Sequence, residues 1–144
     1  MNDVRAAGLK ARRRARELLL RALYQHQLAQ TGYADLHRQF AEQGDWHNAD
    51  QLYFDGVLKG VLARLPELEA HIERHATRDP AQLEPVLRAV LWTALYELLH
   101  RDDIPHRVVI NEAVELSKRY GGTDSHRFVN ALLDRVRSGL GEAR

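Results

Sequence analysis

The 144-residue chain has no cysteine, which excludes disulfides, thiolate metal sites and a cysteine nucleophile. No apolar run approaches the roughly 18–20 residues that a membrane-spanning helix needs. Charges interrupt the N-terminal segment up to Glu17, so an apolar signal core is missing there. These absences lead us to expect a cytoplasmic protein that uses no cofactor and no metal.

The sequence also lacks the apolar–polar alternation of β-strands, internal repeats and low-complexity linkers. Its four prolines lie between segments of helical periodicity or near their starts. We therefore predict an all-α bundle of about six or seven helices with short connections. The predicted division is a basic, flexible N-terminal arm over residues 1–10 and a single helical domain over 11–144.

Apolar residues at helical spacing locate the predicted helices and their inward faces. The first helix covers 11–30 and buries Ala15, Leu18, Leu19, Ala22, Leu23 and His26. Another covers 48–65 and buries Leu52, Val57, Leu58, Val61, Leu62 and Leu65. Pro85 opens the helix with the widest apolar stripe, which we expect at the centre of the core. Pro105 opens a helix that continues to Tyr120, and Thr123 or Asp124 caps the last one.

Charge is distributed unevenly along the chain. Residues 1–16 hold six basic residues against one acid, a net charge of +5, whereas the rest holds 15 basic and 19 acidic residues. Clustered like charges repel each other unless an anion neutralises them, and nucleic-acid phosphate is the usual anion. Because these arginines run into a helix that the core anchors, less entropy is lost when they are presented to a ligand.

Two constellations resemble enzyme sites but fit their geometry poorly. His71 and His75 share one helix face, as zinc ligands can, but no third ligand is evident and Ile72 stands where metalloproteases carry glutamate. Consecutive Asp124, Ser125 and His126 cannot align a hydrolase triad. We therefore predict no enzymatic activity, and a metal-dependent enzyme using His71 and His75 stays an alternative.

The start of the last helix is a better candidate binding site. Cations surround it, and a helix N-terminus flanked by cations can hold a phosphate; they are Lys118, Arg119, His126 and Arg127. Among the aromatic residues, Tyr24 lies off the main apolar face of the first helix, and Phe128 lies in the first turns of the last helix beside Arg127. We keep these two as surface residues that could stack on a base.

Four stretches of the sequence, in this order, resemble the NusB family of bacterial transcription antitermination factors. They are ARRRARELLLRALYQHQL at 11–28, YFDGVLKGV at 53–61, AVLWTALYELLHRDDIPHRVVINEAVELSKRYGG at 89–122 and DSHRFVNALLDRV at 124–136. The resemblance covers nearly the whole chain. The combination is highly specific, although no single stretch is.

The resemblance implies two packed helical sub-bundles and no catalysis. It implies pairing with a small-subunit ribosomal protein, NusE, and binding of the single-stranded boxA element of nascent ribosomal RNA within an antitermination complex on RNA polymerase. By position, the implied RNA-binding residues are Arg12, Arg13, Arg14 and Arg16, to which the cations Lys118 and Arg127 are added. The implied partner-binding residues are Tyr24, Asp124 and Phe128.

Two positions depart from the family pattern. Trp92 stands where the family usually has arginine, and Leu87 stands where it often has an acid that would pair with the basic partner; Glu84 lies one turn earlier and could replace that acid. Alternatives to the antitermination factor are a related RNA-binding module of the kind joined to RNA-modifying methyltransferases, and a purely structural helical dimer. A homodimer is compatible with either function.

Overall fold

The computed structural model describes residues 2–141, with side chains from residue 5 onward. Residue 1 of the predicted arm and residues 142–144 of the predicted domain lie outside the described residues. Residues 2–141 form seven α-helices and two short 3-10 helices and contain no β-strand, which confirms the predicted all-α class. Over this part of the chain, no helix combines the length and apolar character that a membrane crossing requires.

The chain divides into two compact units, Met1–Leu62 and Ala63–Arg144. The helices are α1 (Asn2–Ala29), α2 (Tyr33–Ala41), α3 (Gln51–Ala63), α4 (Leu65–His75), α5 (Pro85–His100), α6 (His106–Tyr120) and α7 (Ser125–Ser138). The short 3-10 helices are Trp46–Asn48 and Pro80–Gln82. Helix α1 begins nine residues before the helix predicted from residue 11, so the basic N-terminal residues continue the same helix.

In the first unit, α1 packs against α2 and the 3-10 helix at Trp46–Asn48. Five of the residues predicted to face inward on α1 are fully buried: Ala15, Leu18, Leu19, Ala22 and Leu23. The prediction was wrong for His26, which is half-buried and hydrogen-bonds through Nδ1 to the Thr31 carbonyl oxygen at 2.8 Å. It was also wrong for Leu52, which is 87% exposed because it shares a face of α3 with the exposed Gly56 and Lys59. Leu62 and Leu65, also predicted to face inward, are half-buried, and Leu65 is the first residue of α4.

The second unit is organised around α5, which contacts α4, α6 and α7. This helix is buried along most of its length, as its wide apolar stripe predicts. The two residues that depart from the family pattern are also buried in the core, since Leu87 is 1% and Trp92 5% exposed. Trp92 donates from Nε1 to Glu69 Oε2 at 2.6 Å, and the other Glu69 oxygen accepts from Arg88. Trp92 is therefore a satisfied core residue.

The backbone of the turn between α6 and α7 packs closely against neighbouring residues of α5, α6 and α7. A Cβ on Gly121 would lie 2.7 Å from the Ser117 carbonyl oxygen, 2.9 Å from Ser125 Cβ and 3.1 Å from Leu87 Cδ2. Only glycine fits these contacts without displacing its neighbours. The turn consequently fixes where α7 begins relative to α5 and α6, and with it the position of the candidate side chains at the start of α7.

Candidate nucleic-acid and partner interface

The four arginines of α1 separate into an inward and an outward pair. Arg12 and Arg16 lie four residues apart and therefore share a helix face, on which both guanidinium groups stack over the ring of Tyr53. Their Cζ atoms lie 4.4 Å and 5.1 Å from the ring centroid. Arg12 also donates from Nε to Asp50 Oδ2 at 3.0 Å. Only 5% of the Arg16 surface is exposed, so this arginine packs as a core residue.

The other two arginines face away from that contact. Arg13 is exposed and Arg14 half-exposed, and Lys10, one turn earlier, is exposed as well. Among the described residues the Arg14 side chain makes no hydrogen bond or ion pair. The outward pair thus presents cations to solvent on a helix whose opposite faces are held by the core and by Tyr53.

Asp50 connects α1 to α3. Its backbone N–H donates to the Ala11 carbonyl oxygen at 3.0 Å, and its side-chain Oδ1 accepts from the Tyr53 backbone N–H at 3.1 Å. The same carboxylate therefore caps the start of α3 and neutralises Arg12. The sequence contains Asp50 and Tyr53, but their contacts with the arginines depend on tertiary packing, and sequence reasoning missed them.

Tyr24 is 39% exposed on α1, as expected for a surface aromatic residue. Leu28, four residues later on the same face, is 61% exposed. Together they form a small exposed apolar patch, and Leu28 was not among the predicted residues. Its signal in the sequence was the i, i+4 spacing from Tyr24.

The second candidate surface lies in the other unit, at the end of α6 and the start of α7. Lys118 and Arg127 are both exposed; Lys118 Nζ lies 3.4 Å from Glu115 Oε2, and Arg127 Nε lies 3.7 Å from Asp124 Oδ1. Such exposed pairs contribute little to stability and separate easily when an anion binds. Tyr120 is 44% exposed beside them, with its hydroxyl 3.3 Å from Arg119 Nη2.

Asp124 occupies the N-cap position of α7, as predicted, but its side chain makes no capping hydrogen bond. Its backbone is left-handed, with φ at 63°, a conformation that few residues other than glycine, asparagine and aspartate adopt. The carboxylate points instead toward Arg127. Asp124 thus remains available to a partner without uncapping the helix.

Phe128 is half-buried, and the guanidinium of Arg78 lies over its ring with Cζ 4.0 Å from the centroid. Arg78 is exposed and belongs to the loop after α4. A partner that contacts Phe128 must therefore either displace Arg78 or stack against it. The sequence separation of fifty residues hides this contact from sequence reasoning.

The histidine pair considered as a metal site forms a stacked pair of rings with centroids 6.3 Å apart. Burial, and then the charge of Arg74, lower the pKa of both His71 and His75. Over the described residues no three histidine, cysteine, aspartate or glutamate side chains are grouped to hold a metal ion. The geometry gives the metal-enzyme alternative no support.

Comparison with known proteins identifies the family. The sequence model described as the NusB family matches residues 13–138. The transcription antitermination protein NusB of Yersinia pestis (strain Pestoides F) is 46% identical over 126 residues, which cover 88% of this chain and 91% of that protein. The NusB protein of Yersinia pseudotuberculosis serotype O:1b matches with the same identity and coverage.

Two solved structures share the fold. NusB of T. maritima aligns with a TM-score of 0.76 and 32% identity, covering 88% of this chain and 89% of its own. A structure of the antitermination factors NusB and NusE in complex with double-stranded RNA aligns with the same TM-score at 21% identity, covering 88% of this chain and 96% of the matched chain. At that identity the second match shows the fold alone.

Proposed function

The chain belongs to the NusB family of transcription antitermination proteins, and from that premise we propose that it binds the boxA element of nascent ribosomal RNA together with the ribosomal protein NusE. The pair would join an antitermination complex on RNA polymerase. The family is not one of enzymes, so binding is the whole of the proposed activity. Because bacterial transcription takes place in the cytoplasm, that is where we expect the protein to act.

The observation that carries the RNA-binding part is the division of the arginines on α1. Arg12 and Arg16 hold the helix against Tyr53, and Arg13 and Arg14 face solvent beside Lys10. A phosphate backbone gains most from cations whose position is fixed before binding, because less side-chain and backbone entropy is lost. We therefore assign phosphate contact to Arg13 and Arg14, and assign to Arg12 and Arg16 the support of that surface.

We assign the start of α7 to the second part of the function. Arg127 and Lys118 supply cations for RNA, and Asp124 and Phe128 supply a carboxylate and an aromatic ring for the basic ribosomal partner. Tyr24, with Leu28, would supply apolar contact to that partner from α1. Aromatic residues of this kind are frequent anchors of protein interfaces.

The deciding experiment measures RNA binding with and without the ribosomal partner, at one fixed salt concentration. The RNAs are a boxA-like single strand and a scrambled strand of equal length. Backbone contacts position RNA but do not read its sequence, so we expect the partner to tighten the boxA-like RNA more than the scrambled one. By linkage, boxA-like RNA must tighten the protein–protein pairing by the same factor. Equal tightening of both RNAs, or of neither, would contradict the proposal.

A further inference from the structure

A cleft between α6 and α7 has no role in the interface described above. It has a volume of about 330 Å³, within the range of small-ligand pockets, and it lies wholly in the second unit. Its lining includes Arg107 and Asn111 from α6, and Asn130, Asp134 and Arg137 from α7. Ile110 is its principal apolar wall and is 6% exposed.

Three of these side chains have unused hydrogen-bonding capacity. Arg107, Asn111 and Asn130 are exposed, and within residues 5–141 none of the three makes a side-chain hydrogen bond or ion pair. Arg137, by contrast, is already paired, with Nη2 3.1 Å from Asp134 Oδ1. The cleft therefore offers one unpaired cation and two amides, each of which can both donate and accept.

These groups are the ones that a nucleotide requires. A guanidinium matches the geometry of a phosphate, and an asparagine amide can pair with the edge of a base or with a ribose hydroxyl. An amphipathic helix would need several apolar anchors, and the cleft has one. An acidic peptide would need a cluster of cations, and the cleft has a single unpaired one.

The position of the cleft links it to the proposed RNA surface. Arg127, Asn130, Asp134 and Arg137 follow each other at intervals of three or four residues and so line one face of α7. From Arg127 to Arg137 the helix rises about 15 Å. An RNA strand that contacts Arg127 can thus continue along this face into the cleft.

We propose that the α6–α7 cleft binds one nucleotide of single-stranded RNA, with Arg107 on the phosphate and with Asn111 and Asn130 on the base or ribose. This inference rests on the proposed function, because the nucleotide belongs to the RNA strand that we assign to Arg127 at the start of α7. It adds a contact that would lengthen the RNA track and read at least one base or sugar edge.

The first test titrates the wild-type protein with small probes and follows backbone amide signals by NMR. We expect adenosine or uridine 5′-monophosphate to shift the signals around Asn111 and Asn130, and inorganic phosphate at equal concentration to shift them far less. Equal shifts with phosphate would mean a simple anion site and would overturn the proposal. No shift with any of the three probes would overturn it too.

The second test uses the full chain and boxA-like RNAs of increasing length. Arg107→Ala should weaken the binding of the longer RNAs about tenfold and lower the salt slope by about 0.7, the value for one phosphate of a single strand. Short RNAs should bind the variant as they bind the wild type. The matched control is Arg74→Ala, which removes an exposed arginine of α4 outside the cleft and should leave both lengths unaffected.

The outcomes separate this proposal from the proposed function. If Arg13→Ala weakens every RNA and Arg107→Ala weakens none, the function stands and the cleft proposal fails. If the wild-type protein binds no single-stranded RNA, both fail. Should an acidic peptide bind in a manner that depends on Arg107, while RNA binding does not, the occupant is a protein and the nucleotide assignment is overturned.

Discussion

The inward and outward arginines of α1 allow a pair of double variants that remove the same charge but should affect different quantities, RNA affinity in one and folding stability in the other. The outward variant combines Arg13→Ala with Arg14→Ala, and the inward variant combines Arg12→Ala with Arg16→Ala. Each removes two positive charges from the same short segment of α1. We expect the outward variant to lose RNA affinity at unchanged folding stability, and the inward variant to lose folding stability first.

The magnitude for the outward variant follows from counterion release. Each phosphate neutralised on a single strand contributes about −0.7 to the salt slope, so two lost contacts flatten it by about 1.4. Between 50 and 200 mM salt, a fourfold change, this amounts to about a sevenfold smaller loss of affinity than in the wild-type protein. Because neither side chain belongs to the core, the free energy of unfolding should change by less than about 0.5 kcal/mol.

The magnitude for the inward variant follows from packing. Two guanidinium contacts with Tyr53 contribute about 1 kcal/mol each, and the Arg12–Asp50 pair, about one-third exposed on both sides, contributes at most about 1 kcal/mol. The free energy of unfolding should therefore fall by about 2–3 kcal/mol. RNA affinity should fall only indirectly, because a less firmly packed α1 holds Arg13 and Arg14 less well in place.

The assay combines fluorescence anisotropy of a labelled boxA-like RNA over a series of salt concentrations with urea unfolding of the same protein samples. Circular dichroism establishes that each variant is helical under the binding conditions. The contrary result is an inward variant that keeps wild-type stability while losing RNA affinity and salt slope as fully as the outward one. That result would mean that Arg12 and Arg16 contact RNA directly.

Three further predictions concern other parts of the chain. Phe128→Asp should weaken pairing with the ribosomal partner by about 2 kcal/mol or more yet leave the protein folded, since Phe128 is only half-buried; melting of the second unit would show a core residue instead. Gly121→Ala should lower the free energy of unfolding by about 1–3 kcal/mol, whereas Gly56→Ala, with nothing within 4 Å of the added Cβ, should raise it in urea titrations. Burial lowers the pKa of His71 from 6.5, so on acidification the unfolded state takes up the proton first. The free energy of unfolding should therefore fall as the pH drops below about 6.5, and it should fall less in His71→Gln. An equal pH dependence in both proteins would contradict this.

Periodicity was sufficient to predict the helices because most of them bury one continuous apolar face. The inward residues of α1 and the central position of α5 follow directly from spacing. Apolar character alone was misleading for Leu52, which lies four residues before the exposed Gly56 and seven before the exposed Lys59 and therefore on the outward face of α3. Residue type also could not separate the buried Arg16 from the exposed Arg13, because the burial of Arg16 against Tyr53 depends on tertiary packing.

Trp92 and Leu87 show what resemblance to a family does not predict about this chain. At these positions the family pattern predicts charged residues, and their replacement raised the question of a weakened partner contact. In this chain both residues are buried in the second unit, and Glu69 accepts the indole N–H and the Arg88 guanidinium. The local charge balance is thus built from α4 and α5 together. Sequence spacing does not reveal this contact, because Glu69 lies 23 positions away from Trp92.

On both candidate surfaces, exposed residues proposed to bind alternate along one helix with residues that hold the helix in place. On α1 the exposed Arg13 lies next to Arg12, which is bound to Asp50 and stacked on Tyr53. On α7 the exposed Arg127 and half-buried Phe128 precede Val129, which is fully buried. A helix held this firmly presents its outward side chains at fixed spacing, so binding costs little conformational entropy. Neighbouring arginines on one helix therefore affect different quantities: substitution of an exposed arginine should change RNA affinity, and substitution of a buried one should change folding stability. Substitutions that remove charge must be chosen by the burial of each side chain.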